Sequence, residues 1–218
     1  MLLEGMAGRI AQRIQGPIAA TMTGLTSLRV AQSEGEGDES TRAGMRYIMS
    51  GAGATGIAPV QAIPTTAAQW FIWNPNGNPV AVFLDVLGMV LISGTAGAGA
   101  TLYGCLVGPR YAPATIPTAL TAGVTIVNSN PGSVRASGVI VASAQTLQNT
   151  IAANWFPIAQ MTTAQTVLLQ TQWEQRDIRG KYVIPPGCGF GLANISPTGT
   201  TPLFAPYGMW REYGIDLE

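Results

Sequence analysis

Four carboxylates stand where acid–base chemistry would have to draw on them: Asp85, Glu174, Asp177 and Glu212. Carboxylate catalysis needs two acids brought together in different environments. Asp85 is the one to watch, because it stands alone in the apolar stretch 80–92, where burial disfavours a charged carboxylate. The structural alternative is an Asp85 that points outward or meets Arg110 or Arg135 in a satisfied pair. The chain contains no histidine, which removes the commonest general base, the usual pH switch and the commonest metal ligand together. Serine and cysteine nucleophiles therefore lack their usual activating partner. Cys105 and Cys188 form no CxxC pattern. Their apolar, strand-like settings favour two buried free thiols over one disulfide. No catalytic residue, cofactor or metal site is expected, and the protein reads as a non-enzyme.

Other pattern matches fail on their context. Gly51–Gly56 is a literal GxGxxG, but a dinucleotide site needs a helix opening there and an acid about 20 residues on. Pro59 and Pro64 oppose the helix, and the next acid is Asp85. The run Ser33–Ser40 (SEGEGDES) holds four of the eleven acids, yet it lacks the carboxylate spacing of an EF-hand and reads as a solvated loop flanked by Arg29, Arg42 and Arg46. Gly180-Lys181 lacks the spacing of a phosphate-binding loop. Asn194-Ile195-Ser196 is a formal glycosylation sequon placed inside a strand.

The elements that must carry these residues are set by composition and punctuation. Charged residues make up 10% of the 218 positions, against roughly 25% in ordinary globular chains. Between Tyr47 and Trp173 the only charged side chains are Asp85, Arg110 and Arg135. So little charge points to a protein largely covered by neighbours in an oligomer or larger assembly. Its high apolar content excludes intrinsic disorder. A formal net charge of zero argues against a general grip on nucleic acid. The first segment lacks the apolar core of a secretory leader, and no apolar run is long enough to span a membrane, so neither is expected.

Along the chain, Met1–Gln15 has a helical period with Leu3, Met6, Ile10 and Ile14 on one face, ended by Gly16-Pro17. These four are the expected anchors of an N-terminal arm that continues as an extended Thr/Ser/Gly-rich segment, Pro17–Val30. Short strands follow from Arg46–Ser50 onward. Trp70–Trp73 meets the turn Asn74–Pro79. The stretch from Val80 is a strand pair or one long bent strand. Strands are also expected over 101–108, 124–127, 138–143 and 155–161, while 164–173 is a strand or a helix, with β-branched residues favouring strand. The last part, Lys181–Tyr213, organises the rest. Pro185-Pro186-Gly187 forces a turn. In the following strand Phe190 and Leu192 point one way, with Gly189, Gly191 and Ala193 on the other, nearly bare face. A bare face admits a large aromatic or another backbone. Trp70, Trp73 and Trp210 are expected as core or interface aromatics. Eight or nine short strands make this an all-β chain. An N-terminal arm (1–42) with a short amphipathic helix and the acidic loop precedes an antiparallel β-sandwich (43–218) of jelly-roll type.

The order of signals resembles the structural proteins of tailed bacteriophages, especially the jelly-roll head decoration (cement) proteins. It consists of an arm, a G-x-R-Y strand (Gly44–Tyr47), an aromatic strand with an N-P-x-G turn (Asn74–Gly77), a PPG-turn strand, and a last strand ending in W-x-E (Trp210–Glu212). The resemblance covers most of the chain after about Arg42. It implies a trimer on the virion surface that binds the major capsid protein and ties neighbouring shell subunits together, with the arm reaching across the lattice. A head-fibre or tail-tip module for receptor or glycan binding, using Tyr111, Trp155 or Tyr207, and a single-jelly-roll shell subunit are the alternatives.

Overall fold

The computed structural model describes residues 36–93, 100–109, 113, 115–147, 154–161, 173–196 and 202–214. The arm anchors Leu3, Met6, Ile10 and Ile14 lie outside them, as do Arg110 and Tyr111. The chain divides into two compact units, Met1–Glu39 and Ser40–Glu218. The boundary falls within a helix, α1 (Glu36–Arg42), so the end of the acidic run is not the loop expected from sequence. Its acids sit in the first turn and Arg42 in the last, the arrangement a helix dipole favours at both ends.

Ten strands follow among the described residues: β1 (Arg46–Ser50), β2 (Ala67–Asn74), β3 (Val80–Ser93), β4 (Ala100–Val107), β5 (Thr125–Asn128), β6 (Ile140–Thr146), β7 (Trp155–Met161), β8 (Trp173–Ile184), β9 (Cys188–Ile195) and β10 (Leu203–Gly214). They form two five-stranded antiparallel sheets in a sandwich. The first sheet runs β5-β1-β10-β3-β8 and the second β6-β2-β9-β4-β7. With β5 and β6 set aside, the remaining strands pair first with last: β1 with β10, β2 with β9, β3 with β8, and β4 with β7. That is the pairing of one long hairpin ribbon, rolled so that β10 joins β3 and β9 joins β4.

The Asn74–Pro79 and Pro185–Gly187 turns form as their residues dictate: Asn78 N–H donates to the Pro75 carbonyl at 3.0 Å and Cys188 N–H to that of Pro185 at 3.1 Å. Strand β3 is one strand of 14 residues, not two. The strand at β8 runs through charged residues that give no strand signal. As a sheet edge it tolerates charge, and charge on an edge discourages pairing with other chains. The loop Gly51–Gly56 leads to β2 rather than to a helix.

Both sheets contribute to one core. Tyr47, Met49, Val82, Leu84, Leu87, Met89, Phe204 and Trp210 from the first sheet meet Trp70, Ile72, Leu102, Val141, Phe190 and Leu192 from the second. The second sheet is also closed on its opposite face, where Phe71, Trp73, Cys105, Val107, Trp155 and Ala193 form a separate buried cluster with Leu147. The two-faced strand β9 explains this arrangement. Phe190 and Leu192 fill the inter-sheet core, while the Phe71 ring lies against the Cα of Gly189, where any side chain would collide with it. All three tryptophans singled out above are thus packed inside the chain, Trp70 and Trp210 between the sheets and Trp73 on the far face of the second.

Candidate functional site

The outward face of the first sheet carries the charge that the second sheet lacks. None of β2, β4, β6, β7 and β9 contains an Asp, Glu, Lys or Arg. On the first sheet, Asp85 occupies a bulge. The β3–β10 register jumps there, Leu84 facing Trp210 and Val86 facing Met209. On the other side Leu84 faces Tyr182 and Val86 faces Asp177. Strand β8 therefore spends Ile178–Lys181 opposite the single residue Asp85. The bulge also shifts the inward phase of β3, from Val82 and Leu84 before it to Leu87, Met89 and Leu91 after it, and so turns Asp85 outward.

Asp85 is buried there and paired. Arg211 Nε donates to both carboxylate oxygens, at 3.1 and 3.0 Å, and Arg211 Nη2 donates to Oδ1 at 2.9 Å. The two side chains are 7% and 9% exposed. The partner that Asp85 meets is Arg211 and not Arg135, while Arg110 lies outside the described residues. Arg135 sits in an exposed loop, whereas Arg211 lies on the neighbouring strand, 126 positions away in sequence. Burial alone would lower the Arg211 pKa, but the hydrogen bonds and charge of Asp85, with the Tyr213 hydroxyl behind them, leave it raised. The Arg211 guanidinium also lies over the Tyr213 ring at 5.8 Å, and that ring meets Phe83 edge-on at 5.4 Å.

Two flanks complete the site. Arg46, the β1 residue across from Arg211, brings its Nε to 3.8 Å from Asp85 Oδ2. On the opposite side β8 folds over the pair through Arg179 and Gly180, both with positive φ (53° and 71°). A side chain at Gly180 would come to 2.8 Å from Arg211 Nη2 and would hold positive φ, so it would strain this left-handed position and push on the ion pair. Arg179 pairs with Asp177 at 2.7 Å, but at the surface.

Of the other candidate carboxylates, Asp177 is taken by Arg179, and the Glu174 side chain lies outside the described residues. Glu212 faces the opposite way from Arg211 and is buried beside the core, accepting hydrogen bonds from the Ser137 hydroxyl and from Trp210 Nε1, the latter at 3.0 Å. Burial raises its pKa against the lowering effect of Ser137, Trp210 and the Gly138 backbone. A carboxyl whose pKa is raised on folding adds stability below its unfolded value, near 4.5, and that contribution is lost as pH rises through the folded value. Glu212→Gln is therefore expected to gain stability relative to the parent as pH climbs from about 4.5 towards neutrality. Urea midpoints of both proteins across that range test this, and a gap that stays constant with pH would contradict it.

Among the described residues no cluster of three His, Cys, Asp or Glu could hold a metal. Cys105 and Cys188 are free thiols, buried and half-buried, and burial pushes the Cys105 thiol up to about 12. Asn194 of the sequon is buried at 1% exposure. Sequence reasoning missed Arg211, Arg46 and Gly180. Their local signals are the G-x-R-Y and W-x-E motifs that hold Arg46 and Arg211, and the Gly after Arg179. Comparison of the chain with family models, with curated proteins and with solved structures gives no match.

Proposed function

We propose that this protein is a jelly-roll virion protein that decorates a bacteriophage head as a trimer, binding the major capsid protein and tying adjacent shell subunits together. The observation that carries the reading is the first-with-last strand pairing of the two sheets, which supports a jelly-roll wiring with β5 and β6 as additions at the sheet edges. Jelly rolls recur in viral coats and in lectins, so the choice between them rests on chemistry. The second sheet is free of charge in every strand and closed by apolar packing on both faces. That suits a protein whose surroundings are mostly other protein. The motif order along the chain agrees with the cement class. The reading assigns no catalytic activity, nucleic acid or membrane to the chain. Its mechanism is additive: many modest contacts made at once on a repeating lattice hold far more tightly than any one of them.

Copy number tests it. Mass spectrometry with labelled peptide standards on gradient-purified particles is expected to give a ratio to the shell protein near one, or a simple fraction such as about one-third. A few copies per particle, or none, overturns the proposal.

A further inference from the structure

Among the described residues the charges at the outward site do not balance. Arg46 and Arg211 bring two guanidiniums to the one carboxylate of Asp85, and Arg211 takes both of its oxygens at 2.9–3.1 Å. Arg46 Nε stops at 3.8 Å, beyond hydrogen-bond length, and is a buried donor with no hydrogen-bond partner. A buried donor on a charged group is costly to leave unpaired. The site is closed towards β8 by Gly180 and open towards β1, where the Arg46 side chain is 24% exposed.

We propose that Arg46, backed by the Asp85–Arg211 pair, is a carboxylate-binding site on the outward face of the first sheet. A carboxylate fits the paired Nη atoms at the end of a guanidinium through parallel hydrogen bonds, with the buried Arg46 Nε behind them facing Asp85 Oδ2. Among the described residues, two arginines and one aspartate leave a single positive charge, which one carboxylate neutralises and a doubly charged phosphate would overfill. Asp85 has a second role in this arrangement: it ties up Arg211, so that Arg46 is the donor left for an incoming group. A free carboxylic-acid anion and an Asp or Glu side chain of a docked protein offer the same chemistry.

The test uses the full-length protein and follows arginine Nε–Hε signals by 15N-edited NMR, with the Arg46 signal identified by its loss in Arg46→Lys. Titration with sodium acetate is expected to move the Arg46 signal along a saturating curve, and sodium chloride at equal ionic strength is not. A drift that is linear, or the same in chloride, overturns the site in the unaltered protein, whatever the variant does. A second arm, which rests on the proposed function, measures rebinding to particles stripped of this protein. Weaker rebinding in acetate than in chloride, and weaker rebinding of Arg46→Lys, identifies an acidic side chain of the shell as the ligand. Rebinding that is indifferent to both identifies a free carboxylate. If the protein does not rebind at all, the decoration reading fails while the acetate titration still decides the site.

Discussion

Asp85→Asn is expected to destabilise the fold by about 3–5 kcal/mol, because it removes the carboxylate charge that the buried Arg211 guanidinium faces through Nε and Nη2. Asparagine keeps the shape and part of the hydrogen bonding, so the loss reports the charge. On a domain whose whole stability is about 5–15 kcal/mol, this places the variant near unfolding at ordinary temperatures. The double variant Asp85→Leu, Arg211→Met removes both charges and is expected to recover most of the loss, since an apolar pair of similar volume avoids desolvating two ions. Urea unfolding at neutral pH of the parent, the single and the double variant gives the comparison. A single-variant loss below about 1 kcal/mol, the value of an exposed pair, would mean that solvent screens Arg211 despite its burial.

The second large effect is expected at Asn74, the fully buried last residue of β2. Its Nδ2 donates to the Val80 carbonyl at 2.8 Å and to the Ile184 carbonyl at 2.9 Å, and its Oδ1 accepts from Asn78 Nδ2 at 2.8 Å. Its own carbonyl accepts from Gly187 N–H at 2.9 Å. One amide thus ties β2 and the turn before β9 in the second sheet to the start of β3 and the end of β8 in the first. Asn74→Asp at neutral pH keeps the size but replaces the donor with a carboxylate oxygen facing two carbonyls. The expected cost is about 3 kcal/mol, from one buried and one half-buried carbonyl losing this donor, at roughly 1–3 kcal/mol each. Thermal and urea unfolding measure it. A variant within about 1 kcal/mol of the parent would show that the corner is held by the turns alone.

The two residues differ in how far the sequence could anticipate them. Asp85 was conspicuous as a lone acid in an apolar run, but its partner was not, because Arg211 comes beside it only when the last strand inserts between β1 and β3. Asn74 looked like the first residue of a polar turn, and nothing local distinguishes a turn asparagine from one swallowed by the junction of two sheets. What the sequence determined by itself was local. Proline and glycine set the turns at Asn74–Pro79 and Pro185–Gly187 through fixed or permissive φ. The alternation of bulky and bare positions in β9 set its two faces, both of which the structure uses. Strand character, scarcity of charge and the all-β class follow from residue types alone.

Tertiary structure decided the rest. The phase of β3 could not be read, because Val80–Ile92 is apolar on both faces and alternation carries no information when neither face is polar. The bulge at Asp85 exists only against its neighbours, one residue of β3 set against four of β8. The identity of β8 as a strand was hidden in Glu174–Lys181, whose charges signal a loop until the chain places them on an edge. Partner choice in a sheet joins residues far apart in sequence, so the pairing that builds the outward charged site is a property of the closed sandwich and of no single stretch of the chain.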